Sequence, residues 1–73
     1  MISMSLDLRG MGCEDFIAKL TEKLTAMKRG DEIEMQCDKD RVFCLQPLLR
    51  GTPYLWKYEL VGDYAVVKIK KLR

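Results

Sequence analysis

The chain has 73 residues, of which 48% are hydrophobic and 33% are charged. This length leaves room for one small core, so residues 1–73 are expected to form a single domain. The apolar fraction excludes an intrinsically disordered chain. The net charge of +2 is too small to indicate a nucleic-acid-binding protein by itself.

Several other classes are disfavoured by what the sequence lacks. No segment approaches the roughly 18 consecutive apolar residues of a membrane span, and residues 1–8 lack the basic stretch and long apolar run of an export signal. We therefore expect a cytoplasmic protein. The sequence contains no histidine, which excludes a Cys–His catalytic pair and a histidine-ligated metal. No Walker-type phosphate loop is present, and we expect no cofactor.

The first half of the chain predicts a strand, a helix and a second strand. Residues 5–9 alternate apolar and polar side chains, as a strand with one buried face does, and Gly10 and Gly12 end it. An amphipathic helix is predicted to start at Glu14 and to stop at Gly30. Its apolar side chains recur at steps of three and four residues: Phe16, Ile17, Leu20, Leu24 and Met27. Residues 32–37 alternate again and predict the second strand.

The second half predicts a short helix and a hairpin. Asp38 is placed to cap a helix that Pro47 should break or kink. Its apolar residues are Val42, Phe43, Leu45 and Leu49. Residues 55–61 and 64–70 are β-branched and aromatic runs, and the link Gly62-Asp63 suits a primed hairpin turn.

The resulting order, β-α-β-α-β-β, predicts an α/β two-layer sandwich with a four-stranded mixed sheet and two helices on one face. The opposite sheet face should be largely polar, with Glu32, Glu34, Lys68 and Lys70 as its candidates.

Cys13 is the candidate reactive residue, because the pattern puts it where the first strand turns into the first helix. Free backbone N–H groups and the helix dipole at such a position favour a thiolate, and they would also stabilise a persulfide anion. Gly10 and Gly12 let the backbone come close to whatever the sulfur holds. Arg9 is interpreted either as a cation that partly offsets the carboxylates of Glu14 and Asp15, which oppose the dipole, or equally well as an ordinary solvated arginine.

The run Asp7-Leu8-Arg9-Gly10, followed closely by Cys13, a helix and two C-terminal strands, resembles the TusA/SirA-like sulfur-carrier family. The resemblance implies that Cys13 receives a sulfane sulfur as a persulfide and hands it to a partner protein. Family members usually have proline, any residue and proline after this cysteine, whereas this chain has Glu14, Asp15 and Phe16. Acidic residues also suit a helix start, so this departure concerns the chemistry rather than the fold.

The other two cysteines are expected to be mainly structural. Cys37 shares the apolar side of its strand with Ile33 and Met35 and is predicted to be a buried thiol. Cys44 is interpreted first as structural, and second as a redox or resolving thiol. The spacing of the three cysteines matches neither a zinc pair nor a C-x-x-C motif, so neither a disulfide framework nor a structural metal is expected.

The predicted function is therefore a sulfur carrier with Cys13 as the transfer residue and with Arg9, Gly10, Gly12 and Glu14 in support. Its partners would be sulfur-donor and sulfur-acceptor proteins. One alternative is an interaction or regulatory module that keeps the fold but has lost transfer. A weaker alternative is an RNA-binding domain that uses the lysine-rich surfaces, although Trp56 and Tyr58 share a parity with Leu60 that favours core packing over base stacking.

Overall fold

The computed structural model describes residues 3–73. The elements in chain order are β1 (Ser3–Asp7), α1 (Cys13–Thr25), β2 (Glu32–Asp38), α2 (Val42–Leu49), β3 (Tyr54–Val61) and β4 (Tyr64–Lys71). A short 3-10 turn, Lys39–Arg41, leads into α2. Met1 and Ile2 lie outside the described residues. The prediction of no export signal rests on residues 1–8 and therefore falls partly outside them. Within residues 3–73 no helix has the length and apolar character that crossing a bilayer requires.

The four strands form one mixed sheet in the order β1-β2-β4-β3. β1 and β2 run parallel, and β4 pairs antiparallel with both β2 and β3. One face of β2 and β4 is fully buried, with Ile33 opposite Ile69 and Met35 opposite Val67. Side chains from both helices complete this core, including Phe16, Leu20, Leu45 and Leu49. The predicted α/β sandwich with two helices on one face is therefore confirmed.

The first strand and the first helix both end earlier than the sequence predicts. The Leu8 N–H still bonds to the Gln36 carbonyl at 2.8 Å. The Asp7 carboxylate then accepts a hydrogen bond from the Arg9 backbone N–H at 3.2 Å, and this local turn ends the pairing with β2. In α1 the N–H groups of Ala26 and Met27 bond three residues back instead of four. This tightened turn ends the helix at Thr25, so its predicted extension toward Gly30 is wrong.

The second helix is one short helix, as predicted, and Pro47 does not break it. Pro47 lies inside α2, which runs on to Leu49. Only one backbone donor is lost there, and the Arg50 N–H still bonds to the Gln46 carbonyl at 3.0 Å. Asp38 precedes the 3-10 turn without a side-chain capping bond. Phe43, one of the apolar residues of this helix, is 77% exposed.

The hairpin lies where the sequence predicts it, but the side chains of β3 are less buried than expected. Gly62 has φ +65° at the first turn position, as a type II′ turn requires. Trp56 packs partly against the core, whereas Tyr58 and Leu60 on the same side are 51% and 58% exposed. β3 is an edge strand of the sheet, and the helices do not extend over this end of it. The prediction of core packing for Tyr58 and Leu60 is therefore wrong.

Candidate functional site: a cysteine pair at two helix starts

The site lies where the two β-to-α connections meet. β1 and β2 are adjacent and parallel, so their carboxyl ends lie at the same edge of the sheet. The connection from β1 leads into α1, and the connection from β2 leads into α2. The starts of both helices are therefore brought together at this edge.

Cys13 is the first residue of α1 and is exposed, as the sequence predicts. Gly12 precedes the helix with φ −68° and provides no side-chain cap, while its carbonyl accepts the Phe16 N–H at 2.9 Å. Phe16 is fully buried, which anchors the first turn to the core. Glu14 and Asp15 are exposed acidic residues of that same turn. The thiol position therefore combines a positive helix end with two carboxylates.

Cys13 is joined to Cys44, the third residue of α2, in a disulfide. Their Cα atoms are 6.6 Å apart, within the range that a disulfide can bridge. Cys44 is half-buried, whereas Cys13 is exposed. The expectation of no disulfide framework is corrected by this one bond, while both a structural and a redox role of Cys44 stay predictions.

Arg41 stands beside this pair at the residue before α2. Its Nη1 donates toward the Cys44 Sγ at 4.0 Å. Its Nε is shielded from solvent and has no hydrogen-bond partner among the described residues. The first turn of α2 contains no acidic residue, so the surroundings of Cys44 differ in charge from those of Cys13. A guanidinium at this distance favours an anionic sulfur on Cys44 when the disulfide is open.

Gly10 and Asp38 link the two segments that carry the cysteines. The Gly10 N–H faces both carboxylate oxygens of Asp38, each at 3.2 Å. Gly10 has φ +84°, a conformation that glycine adopts far more readily than other residues. Gly10 precedes Cys13 by three residues, and Asp38 leads directly into the turn before α2. This contact helps to hold the two helix starts in place.

The Arg9 side chain pairs with the Asp7 carboxylate at the end of β1. Its Nε bonds to Asp7 Oδ1 at 3.0 Å, its Nη2 bonds to Asp7 Oδ2 at 3.0 Å, and its guanidinium lies 5.4 Å from the centre of the Tyr64 ring. These hydrogen bonds hold the pKa of the Asp7 carboxyl below its usual value. Much of the Arg9 charge is thus compensated locally, and an electrostatic role for Arg9 at Cys13 stays a prediction.

Cys37 confirms the prediction of a buried thiol. Its side chain has no exposed surface and lies opposite Ala65 in the centre of the sheet. Burial raises the pKa of the Cys37 thiol, and the neighbouring Asp38 carboxylate raises it further, while Arg41 acts in the opposite direction. The thiol form is therefore favoured at neutral pH, and Cys37 has no route to a partner protein.

The sequence contained one signal that would have found the pair. Cys13 and Cys44 each fall within the first three residues of a helix that follows a strand. If the two strands are taken to be adjacent and parallel, the two helix starts must meet at one sheet edge. Arg41 and Asp38 had no comparable signal, because their roles depend on side-chain directions in the folded chain.

Comparison with known proteins gave no match: no family model, no curated protein and no solved structure is similar to this chain. The case for a function is therefore made by the site itself and by the resemblance in residues 6–13.

Proposed function

We propose that this protein is a cytoplasmic sulfur carrier that holds a sulfane sulfur as a persulfide on Cys13. The Cys13 thiolate attacks the terminal sulfur of a donor protein's persulfide. The new S–S bond forms on Cys13 while the donor's S–S bond breaks, and the donor leaves as a thiolate. The same reaction in the other direction, with an acceptor thiolate attacking the terminal sulfur on Cys13, delivers the sulfur.

The observation that carries this proposal is the exposed position of Cys13 at the first residue of α1. Backbone N–H groups at a helix start stabilise an anion such as a persulfide. A carrier must present its sulfur to two different proteins in turn, which an exposed surface position permits and a deep pocket would prevent. The resemblance of residues 6–13 to TusA/SirA-like carriers supports the same reaction.

Docking of partner proteins has a candidate anchor beside the pair. Phe43 immediately precedes Cys44, and 77% of its side chain is exposed. Large exposed aromatic side chains are typical anchors of protein interfaces. The open sheet face pairs Glu34 with Lys68 and Glu32 with Lys70, and this mixture of charges favours protein partners over nucleic acid.

The test uses two matched variants, Cys44→Ser and Cys13→Ser, which each remove the disulfide and leave one of its two thiols. Each reduced variant is treated with glutathione persulfide, the excess persulfide is removed, and the mass of the intact protein is measured. Cyanide is then added, because it removes sulfane sulfur as thiocyanate.

Cys44→Ser is expected to gain the mass of one sulfur atom and to lose it to cyanide, whereas Cys13→Ser gains little. A gain that persists in Cys13→Ser and is missing from Cys44→Ser would contradict the proposal.

A further inference from the structure

We propose that Cys44 is a resolving thiol, which releases the sulfur carried by Cys13 as sulfide and closes the Cys13–Cys44 disulfide. This inference rests on the proposed function and adds a second outcome to it. The carried sulfur either passes to an acceptor protein as sulfane sulfur or leaves reduced as hydrosulfide. The disulfide described above is the product of the second route.

The sulfurs of Cys13 and Cys44 lie close together. The two residues form a disulfide across a Cα separation of 6.6 Å, although 31 positions separate them along the chain. A persulfide on Cys13 therefore has the Cys44 sulfur within reach without any rearrangement of the sheet. A neighbouring thiol acts at a high effective concentration, which an external thiol at cellular levels does not match.

The charged groups next to the two sulfurs differ, and this difference assigns their roles. Cys13 is followed by Glu14 and Asp15 in the first turn of α1. Cys44 has no acidic residue in the first turn of α2, and the Arg41 Nη1 lies 4.0 Å from its sulfur. Cys44 is thus the better placed of the two to act as the attacking thiolate.

Arg41 has a side-chain nitrogen that is placed to accept an anionic partner. Its Nε is shielded from solvent and has no hydrogen-bond partner among the described residues, and buried polar groups of this kind usually have one. An anionic sulfur at the pair, either the Cys44 thiolate or the departing hydrosulfide, is a suitable acceptor. Arg41 is in this account a positioning residue that acts through Cys44.

The Cys44 thiol gives a proton to solvent, and the anionic persulfide on Cys13 takes one up from solvent. The Cys44 thiolate then attacks the Cys13 Sγ. The bond between the Cys13 Sγ and the carried sulfur breaks, and the protonated sulfur leaves with the electron pair as hydrosulfide. Two electrons have passed from the thiol pair to the sulfane sulfur. A dithiol reductant then supplies two electrons and two protons, which restores the two thiols.

The experiment compares the reduced wild-type protein with Cys44→Ser, each treated with glutathione persulfide and then freed of the donor. Sulfide release is followed with time, and intact mass is measured at the end. The wild type is expected to release sulfide about tenfold faster or more, because its second thiol is held next to the persulfide. It should finish two hydrogen atoms lighter than the reduced protein, whereas Cys44→Ser keeps the carried sulfur.

The possible failures are distinguishable. A loaded Cys44→Ser together with an equally long-lived persulfide in the wild type would overturn the resolving role and leave the carrier function intact. Absence of cyanide-labile sulfur from Cys44→Ser would overturn both. The control variant Cys37→Ala retains the pair and is expected to release sulfide as the wild type does.

Arg41 is tested separately with Arg41→Gln and Arg41→Lys. Arg41→Gln should take up sulfur normally on Cys13 but release sulfide more slowly, and Arg41→Lys should recover part of the rate because it keeps the positive charge. Equal release rates in the wild type and Arg41→Gln would remove Arg41 from the account. Slow release in both variants would indicate a steric role instead of the electrostatic one.

Discussion

Cys37 and the Cys13–Cys44 pair are thiols of one small protein in opposite environments. Cys37 lies in the centre of the sheet with no exposed surface, where burial holds it in the neutral thiol form. Cys13 and Cys44 lie at helix starts, one exposed and the other half-buried. The fold thus decides which thiols can react, through the difference between a strand interior and the edge where two β-to-α connections meet.

The largest expected difference between the two environments is in reactivity. In the reduced protein, iodoacetamide should modify Cys13 directly, whereas Cys37 reacts only when the sheet opens. An opening free energy of about 3 kcal/mol corresponds to protection of about a hundredfold. Peptide mass spectrometry over a time course measures both rates. Comparable alkylation rates for Cys13 and Cys37 would contradict the claim that burial protects Cys37.

The disulfide is expected to contribute to stability in a way that Cys37 does not. Closing a loop between cysteines 31 positions apart stabilises a folded chain by about 3 to 4 kcal/mol. Urea denaturation with and without a reductant measures this difference. Cys44→Ser should show no effect of the reductant, while Cys37→Ala should keep it. A reductant effect of the same size in Cys44→Ser would show that the pair is not its source.

In the loop before Cys13, substitution should lower stability at Gly10 but not at Gly12. A Cβ on Gly10 would meet nothing within 4 Å, but the residue has φ +84°, so Gly10→Ala is expected to lower the free energy of unfolding by about 1 to 2 kcal/mol. Gly12 has φ −68°, and Gly12→Ser also adds a capping side chain, so this variant should not lose stability. Equal losses in urea denaturation would mean that the left-handed conformation of Gly10 is not the cause.

The smallest expected effect concerns the pH dependence of stability at Cys37. Because burial raises the pKa of this thiol in the folded state, its contribution is complete below the unfolded value of about 8.5. It is lost as the pH rises through the folded value, since only the unfolded chain then releases the proton.

The free energy of unfolding should therefore fall above about pH 8.5, by less than about 1.4 kcal/mol per pH unit. Urea denaturation of the reduced wild type and of Cys37→Ala over this range measures the effect. A decline of the same slope in Cys37→Ala would assign it to other groups.

The sequence predicted which elements exist but not how completely they are covered. Period-two alternation correctly put Cys37 on the buried side of β2, because that strand is central and the helices lie over it. The same alternation in β3 failed for Tyr58 and Leu60, since parity states which face a side chain occupies and not whether a second layer reaches it. Phe43 shows the same limit, because an apolar residue of α2 still lies 77% exposed on the side away from the core.

The reactive thiol was predictable, and its pairing was missed. Strand-to-helix patterning alone is enough to place Cys13 at the start of α1. The disulfide depends on the distance between residues far apart in the chain, which cysteine spacing does not report. Pro47 shows a different limit, because the rule that proline ends helices considers only the lost donor. In α2 the next backbone bond, from Arg50 to Gln46, is still made.

The central claim is that the fold selects Cys13 among three thiols as the residue that accepts sulfur. The most direct measurement uses Cys44→Ser, in which no second thiol can release the sulfur carried by Cys13. The reduced, folded variant is treated briefly with glutathione persulfide, its thiols and persulfides are blocked with an alkylating agent, and the added sulfur is mapped by peptide mass spectrometry. We expect sulfur on Cys13 and none on Cys37 in the folded variant, and sulfur on both cysteines in urea. Sulfur on Cys37 in the folded variant, or on neither residue, would contradict the account.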